Sequence, residues 1–167
     1  MNFSHFQRLV RMMFEPDGTG GILQHYDHLT ASDVRQLNPL VLAYVGDAYF
    51  HLFVRTRLLS YEQAKVQALH AFSAQIVSAK WQHKAYLGIE SMLTDDEKAI
   101  YRRARNAKSH APRSSTVAEY HSSTGFEALL GSLYLRDEDK RLYEIAEASF
   151  EVISKAMMQE IQAKSQA

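Results

Sequence analysis

Two carboxylates stand where carboxylates are costly. Asp47 lies in PLVLAYVGDAYFHLFV, residues 39–54, where it and His51 are the only strongly ionisable side chains before the closing arginines. Glu127 is the only charge in TGFEALLGSLYL, residues 124–135, among Phe126, Leu129, Leu130 and Leu133. A carboxylate on such a helix is unfavourable unless a cation or hydrogen bonds compensate it. Gly46, beside Asp47, adds about 1 kcal/mol against alanine in a helix interior, and its missing side chain admits another backbone or a substrate. Either acid alone reads equally well as a structural group paired with an arginine. Two such acids on two apolar helices are better explained together. If the helices pack side by side, Asp47 and Glu127 share one hard divalent cation. Mg²⁺ takes oxygen ligands, keeps several waters, and is commonly held by one or two carboxylates plus phosphate. An ion held so activates water and neutralises charge building on a phosphodiester.

A third feature is RRARNAKSHAPR, residues 102–113, in which Arg102, Arg103, Arg105, Lys108 and Arg113 occur without an acid. The formal net charge of the chain is +0, so this run is a local asymmetry and not a bulk property. Some of it can complement a helix C-terminus, and a solvated basic face is the plainer alternative. With Asn106 and Ser109 as hydrogen-bonders, the run suits phosphate contacts. No aromatic side chain interleaves with it, which favours backbone-directed binding to a duplex over base stacking on a single strand. His25, Asp27 and His28 invite a zinc reading, but no partner ligand follows at a recognisable spacing. There is no His-Glu-x-x-His, no Gly-x-Ser-x-Gly and no phosphate-cradling glycine loop.

For the two acids to meet, the chain must build helices around them. At 167 residues it fits one domain, and seven glycines with three prolines favour long helices over a turn-rich sheet. Residues 3–14 read as a short amphipathic helix, EPDGTGG up to Gly21 as a loop, and 22–37 as a mixed connector. Asn38 and Pro39 make an N-cap and first helical position for a helix running to about Leu59. Ser60 with Gln63, and Thr94 with Glu97, resemble capping boxes and predict helices over roughly 61–71 and 95–106. Another is expected over about 74–87, ending near Gly88. Residues 107–122, with Pro112 and several serines, predict a loop, followed by helices over roughly 124–135 and 138–162. In the last of these Leu142, Ile145, Ala146, Val152, Ile153, Ala156 and Met157 form one apolar stripe. Trp81 and most tyrosines are expected in the core or at an interface. The expectation is an all-α bundle. The lack of cysteine excludes disulfides and thiolate metal sites and favours a reducing compartment, the cytoplasm. The N-terminus lacks the uninterrupted apolar stretch of a signal peptide, and no run of about 18 apolar residues suggests a membrane span.

These segments resemble ribonuclease III. The signature helix of that family reads approximately Leu-Glu-Phe-Leu-Gly-Asp-Ala, against Leu42-Ala43-Tyr44-Val45-Gly46-Asp47-Ala48 here. Its second catalytic segment, approximately Asp-x-Phe-Glu-Ala, meets Thr124-Gly125-Phe126-Glu127-Ala128. The likeness is closest to the Mini-ribonuclease III branch, whose run of LALAYIGDA, IVSAK, RGRNAKS and FEALLG is matched by LVLAYVGDA (40–48), IVSAK (76–80), RARNAKS (103–109) and FEALLG (126–131). Four ordered motifs make the resemblance specific over about residues 37–160.

The resemblance implies a ribonuclease III endonuclease domain-like helical bundle over 37–163, with 1–36 as an N-terminal extension. It implies a homodimer with a catalytic valley between subunits, in which Asp47 and Glu127 hold Mg²⁺ and cut double-stranded RNA by metal-activated water. Arg102, Arg103, Arg105, Asn106, Lys108 and Arg113 are then the RNA-gripping residues. The substrate implied is the precursor of large-subunit (23S) ribosomal RNA. Two departures matter. The larger enzymes carry acids where this chain has Ala43 and Thr124, which leaves fewer direct metal ligands. The competing expectation is a ribonuclease III-like RNA-binding or ribosome-assembly factor that does not cut.

Overall fold

Asn38 and Pro39 open the central helix as the sequence predicts. In the computed structural model, which describes residues 3–14, 30–108 and 115–165, the Asn38 side chain accepts from the Leu40 amide at 2.9 Å. Proline takes the first turn, where its missing N–H costs nothing. The helix elements are α1 (Phe3–Phe14), α2 (Ala31–Gln36), α3 (Pro39–Leu58), α4 (Val66–Ile76), α5 (Ala79–Ile89), α6 (Asp95–Arg105), α7 (Val117–Leu135) and α8 (Asp139–Ser165). A 3-10 turn, Glu90–Met92, follows α5, and no strand occurs among the described residues. The fold is all-α. No helix of the described residues is long and apolar enough to cross a membrane.

Three boundaries differ from expectation for visible reasons. The predicted helix over 61–71 begins only at Val66. Gln63 donates to the Leu59 carbonyl instead of closing a box with Ser60, and the Glu62 carboxylate accepts from the Ala64 and Lys65 amides. Helix α5 is correspondingly displaced from 74–87 to Ala79–Ile89. Helix α7 starts at Val117, about two turns before the predicted 124. Thr116 and Glu119 form a full capping box there, inside the stretch read as loop. Within the expected connector, Thr30 and Asp33 cap the short α2 in the same way. The Thr94–Glu97 box at the start of α6 is present as predicted.

Helices α3 and α7 form the centre of the bundle. Phe50 packs edge-on against Phe126 with ring centroids 5.1 Å apart. Leu129, Leu130, Leu133, Trp81, Leu142, Ile145 and Ile153 surround them, so the α8 stripe and Trp81 lie in the core. A smaller cluster joins Val34 of α2 to Leu42, Ala43, Ile100, Ala104, Ala128 and Leu135. Arg141 ties α8 to the start of α6, donating to Glu97 through Nε at 2.8 Å and through a terminal nitrogen at 2.9 Å. Burial pushes the Glu97 carboxyl up, but these bonds and the Thr94 amide outweigh it and leave it below the usual carboxylate range.

Candidate active site between α3 and α7

Gly46 and Gly131 let the two acid-bearing helices touch through bare backbone. A Cβ added to Gly46 would overlap the Glu127 carbonyl oxygen and come within 2.6 Å of the Gly131 amide nitrogen. One added to Gly131 would overlap the Leu42 carbonyl oxygen. The glycine beside Asp47 therefore admits another backbone, one of the two possibilities its position suggests. The helix that approaches is the one carrying Glu127.

The crossing brings the acids into each other's field. Asp47 is half-exposed, with its Oδ1 3.3 Å from Nε2 of His51 one turn along α3. Glu127 is more enclosed. Burial pushes its carboxyl up to about 8, the Asp47 charge adds to the shift, and a hydrogen bond from Gln82 opposes it. Among the ion pairs of the described residues, neither acid has a lysine or arginine partner. The structural alternative of an arginine-satisfied carboxylate thus finds no such arginine there. Arginine clamps do occur elsewhere in the fold, on Glu97 and Glu147.

The positions that depart from the larger enzymes offer no further ligand. Ala43 is buried, and the Thr124 hydroxyl donates back to the Tyr120 carbonyl at 3.0 Å within its own helix. No group of three or more His, Asp or Glu side chains able to hold a metal ion occurs among the described residues. The donor set offered here is two carboxylates.

The basic run leaves α6 beside this crossing. Tyr101 packs against Gly125, two residues before Glu127, where a Cβ would meet its ring at 2.5 Å. Arg102, Arg105, Asn106 and Lys108 are exposed at and beyond the end of α6. Arg103 is exposed but donates to the Arg35 carbonyl and, at 3.3 Å, to that of Leu37, closing the C-terminal end of α2. Arg113 lies outside the described residues, as do His25, Asp27, His28 and the glycine-rich loop. Sequence reasoning missed Gln82, a buried carboxamide on α5 that holds the Glu127 carboxyl down against its burial. In WQHK it reads as an ordinary polar position.

Residues 40–138 match the model of the Ribonuclease III domain, a span holding both acids and the whole basic run. The chain is 42% identical over 134 residues to a Mini-ribonuclease 3 of Thermoanaerobacter sp. (strain X514), covering 80% of this chain and 94% of that one. The chain belongs to the Mini-ribonuclease 3 family. A Mini-ribonuclease 3 of Symbiobacterium thermophilum is 44% identical over 120 residues, 71% of this chain and 92% of its own length. Among solved structures, a protein from Fusobacterium nucleatum superposes with a TM-score of 0.64 at 33% identity, over 69% of this chain and 94% of that one. As a Mini-ribonuclease 3 with a ribonuclease III domain, the chain is an endoribonuclease whose substrate class is double-stranded RNA.

Proposed function

We propose that Asp47 and Glu127 together hold a Mg²⁺ ion at which one strand of a ribosomal RNA precursor stem is cut, maturing the ends of the large-subunit (23S) species. The observation that carries this reading is the pair itself: two acids on helices that cross through glycine, without a lysine or arginine partner among the described residues. The donor set fits a hard divalent cation, since burial and the charge of Asp47 both oppose ionisation of Glu127 and a nearby cation relieves both. Bound there, such an ion would activate water and neutralise charge on the phosphodiester. Asp47, the more exposed acid, faces the incoming backbone, and Glu127 supplies the second carboxylate from below. Arg102, Arg105, Asn106, Lys108 and Arg113 grip phosphates of the duplex, with Arg103 contributing through the donors it does not spend on α2. The catalytic unit is 37–163 with α2 docked on it, and the ribosomal substrate rests on the four ordered motifs. A cytoplasmic location suits that substrate.

The homodimer that the family resemblance implies is supported by the outer face of α3. Val41, Tyr44, Ala48 and Leu52 recur at helical spacing and are all exposed, Tyr44 by 79% and Leu52 by 62%. This apolar stripe runs beside Asp47, so a second copy seated on it brings two sites to one valley.

The test is cleavage of a stem RNA with and without Mg²⁺. Wild type cuts only with the metal, and Asp47→Asn loses about 10³-fold or more in rate while keeping its melting temperature. Equal rates for the two proteins, or salt-sensitive binding of RNA without any cut, would favour the non-catalytic reading.

A further inference from the structure

Three arginines from three helices line one cavity. Arg35 of α2, Arg103 of α6 and Arg136 at the C-cap of α7 share about 310 Å³ with Asp96, Ala99 and Ile100. A chain of +0 formal net charge thus gathers three guanidiniums against one carboxylate. Guanidiniums cannot shed their charge, so their crowding is unfavourable unless an anion joins them. Among the ion pairs of the described residues, Arg35 and Arg103 have no acidic partner. The Arg103 guanidinium is fixed on the carbonyls of Arg35 and Leu37, which leaves donors of its five N–H groups unspent. The Arg136 side chain is only 13% exposed and donates a terminal nitrogen to Glu138 at 3.3 Å. Its Nε is buried and makes no hydrogen bond, although Glu138 Oε1 lies 3.2 Å away. Capping of α2 explains Arg103, and Glu138 partly explains Arg136, but neither explains why Arg35 joins them at the same cavity.

We propose that Arg35, Arg103 and Arg136 form a phosphate-binding pocket that takes one backbone phosphate of the RNA duplex away from the acid pair. Planar guanidinium forks match phosphate oxygens bidentately, and a partly fixed fork loses little freedom on binding. Arg136 lies nine residues beyond Glu127, about 13 Å along the axis of α7, so the pocket meets a different phosphate from the one at the acids. Arg103 also belongs to the exposed basic run, which makes the pocket continuous with it. The inference extends the phosphate grip proposed for that run and needs neither the metal nor the ribosomal substrate. It gives α2, which lies ahead of the matched domain, a direct part in holding the duplex.

The test uses the full chain and a stem RNA without divalent metal, so that binding is read apart from cleavage. Kd is followed against salt by fluorescence anisotropy for wild type, Arg35→Gln, the double variant Arg35→Gln with Arg136→Gln, and a charge-matched control on α8, Lys155→Gln with Lys164→Gln. Expected for the double variant is a Kd raised about 10-fold at low salt and a log–log salt slope shallower by about one, as one lost phosphate contact requires. The control should keep the wild-type slope. A slope unchanged in the double variant, or altered equally in the control, would overturn the proposal. If the double variant does not fold, Arg35→Gln decides on the same readout, since its side chain is exposed. Inorganic phosphate titrated into the RNA-free protein gives a second arm. If it saturates the arginine Nε–H signals of the pocket in NMR while the variants bind the stem as wild type does, the pocket serves free phosphate and the RNA assignment falls. If wild type binds the stem but does not cut it with Mg²⁺, the metal reading fails while the salt slope still judges the pocket. If wild type does not bind the stem, both fall.

Discussion

Ionising Glu127 works against the fold. Its carboxyl is pushed from an ordinary 4.5 up to about 8, first by burial and then by Asp47. Between these values the folded chain holds a proton that the unfolded chain has lost, so stability is full below 4.5 and declines as pH rises through 8. Glu127→Gln removes that loss. Its melting temperature should exceed that of wild type by about 3 °C or more at pH 8.5, and the two should converge near pH 4.5, as thermal melts at both values will show. If Glu127 holds Mg²⁺ as proposed, the ion should act in the opposite direction, raising the wild-type melting temperature at pH 8.5 more than that of Glu127→Gln. The two acids were legible in the sequence because each is a lone charge in an apolar helix. Gln82 was not, because a glutamine between tryptophan and histidine carries no sign of burial until α7 is laid across it.

At the level of helices, Gly46 and Gly131 reverse an ordinary expectation. In an exposed helix interior, Gly→Ala stabilises by about 1 kcal/mol. Here each added methyl would overlap backbone of the facing helix, so Gly46→Ala and Gly131→Ala should each destabilise by about 3 kcal/mol or more in urea melts. A gain in stability from either would mean that the helices cross elsewhere. The helices themselves were readable wherever a cap was unambiguous, as at Asn38-Pro39 and Thr94–Glu97. The same rule fits Thr116–Glu119, yet Pro112 and the neighbouring serines outweighed it, and two turns of α7 were read as loop. Ser60–Gln63 carries the same pattern without the cap, because Gln63 serves the carbonyl end of α3. A capping pattern names two residues, but which backbone groups they satisfy depends on neighbours that the pattern omits.

For the whole molecule, the proposed dimer through the exposed stripe on α3 would tie assembly to activity. Tyr44→Asp puts a charge at its most exposed aromatic position, and sedimentation velocity should show a shift from dimer to monomer with loss of stem cleavage. A protein that remains dimeric with this change would place the subunit contact on another face. The stripe could be seen in the sequence only as a helix apolar all round, since the sequence does not say which side α7 covers.

The docking of α2 has a consequence for trimming the chain. Cutting back to residue 37 would pull Val34 out from beside Ala43 and Ala104, and would take away Arg35, one of the two residues whose carbonyls Arg103 grips. The shortened protein would thus acquire a hollow behind the signature helix and a loosened Arg103. It should melt at a lower temperature than the full chain. A segment lying ahead of the matched domain therefore helps to hold one of that domain's arginines in place.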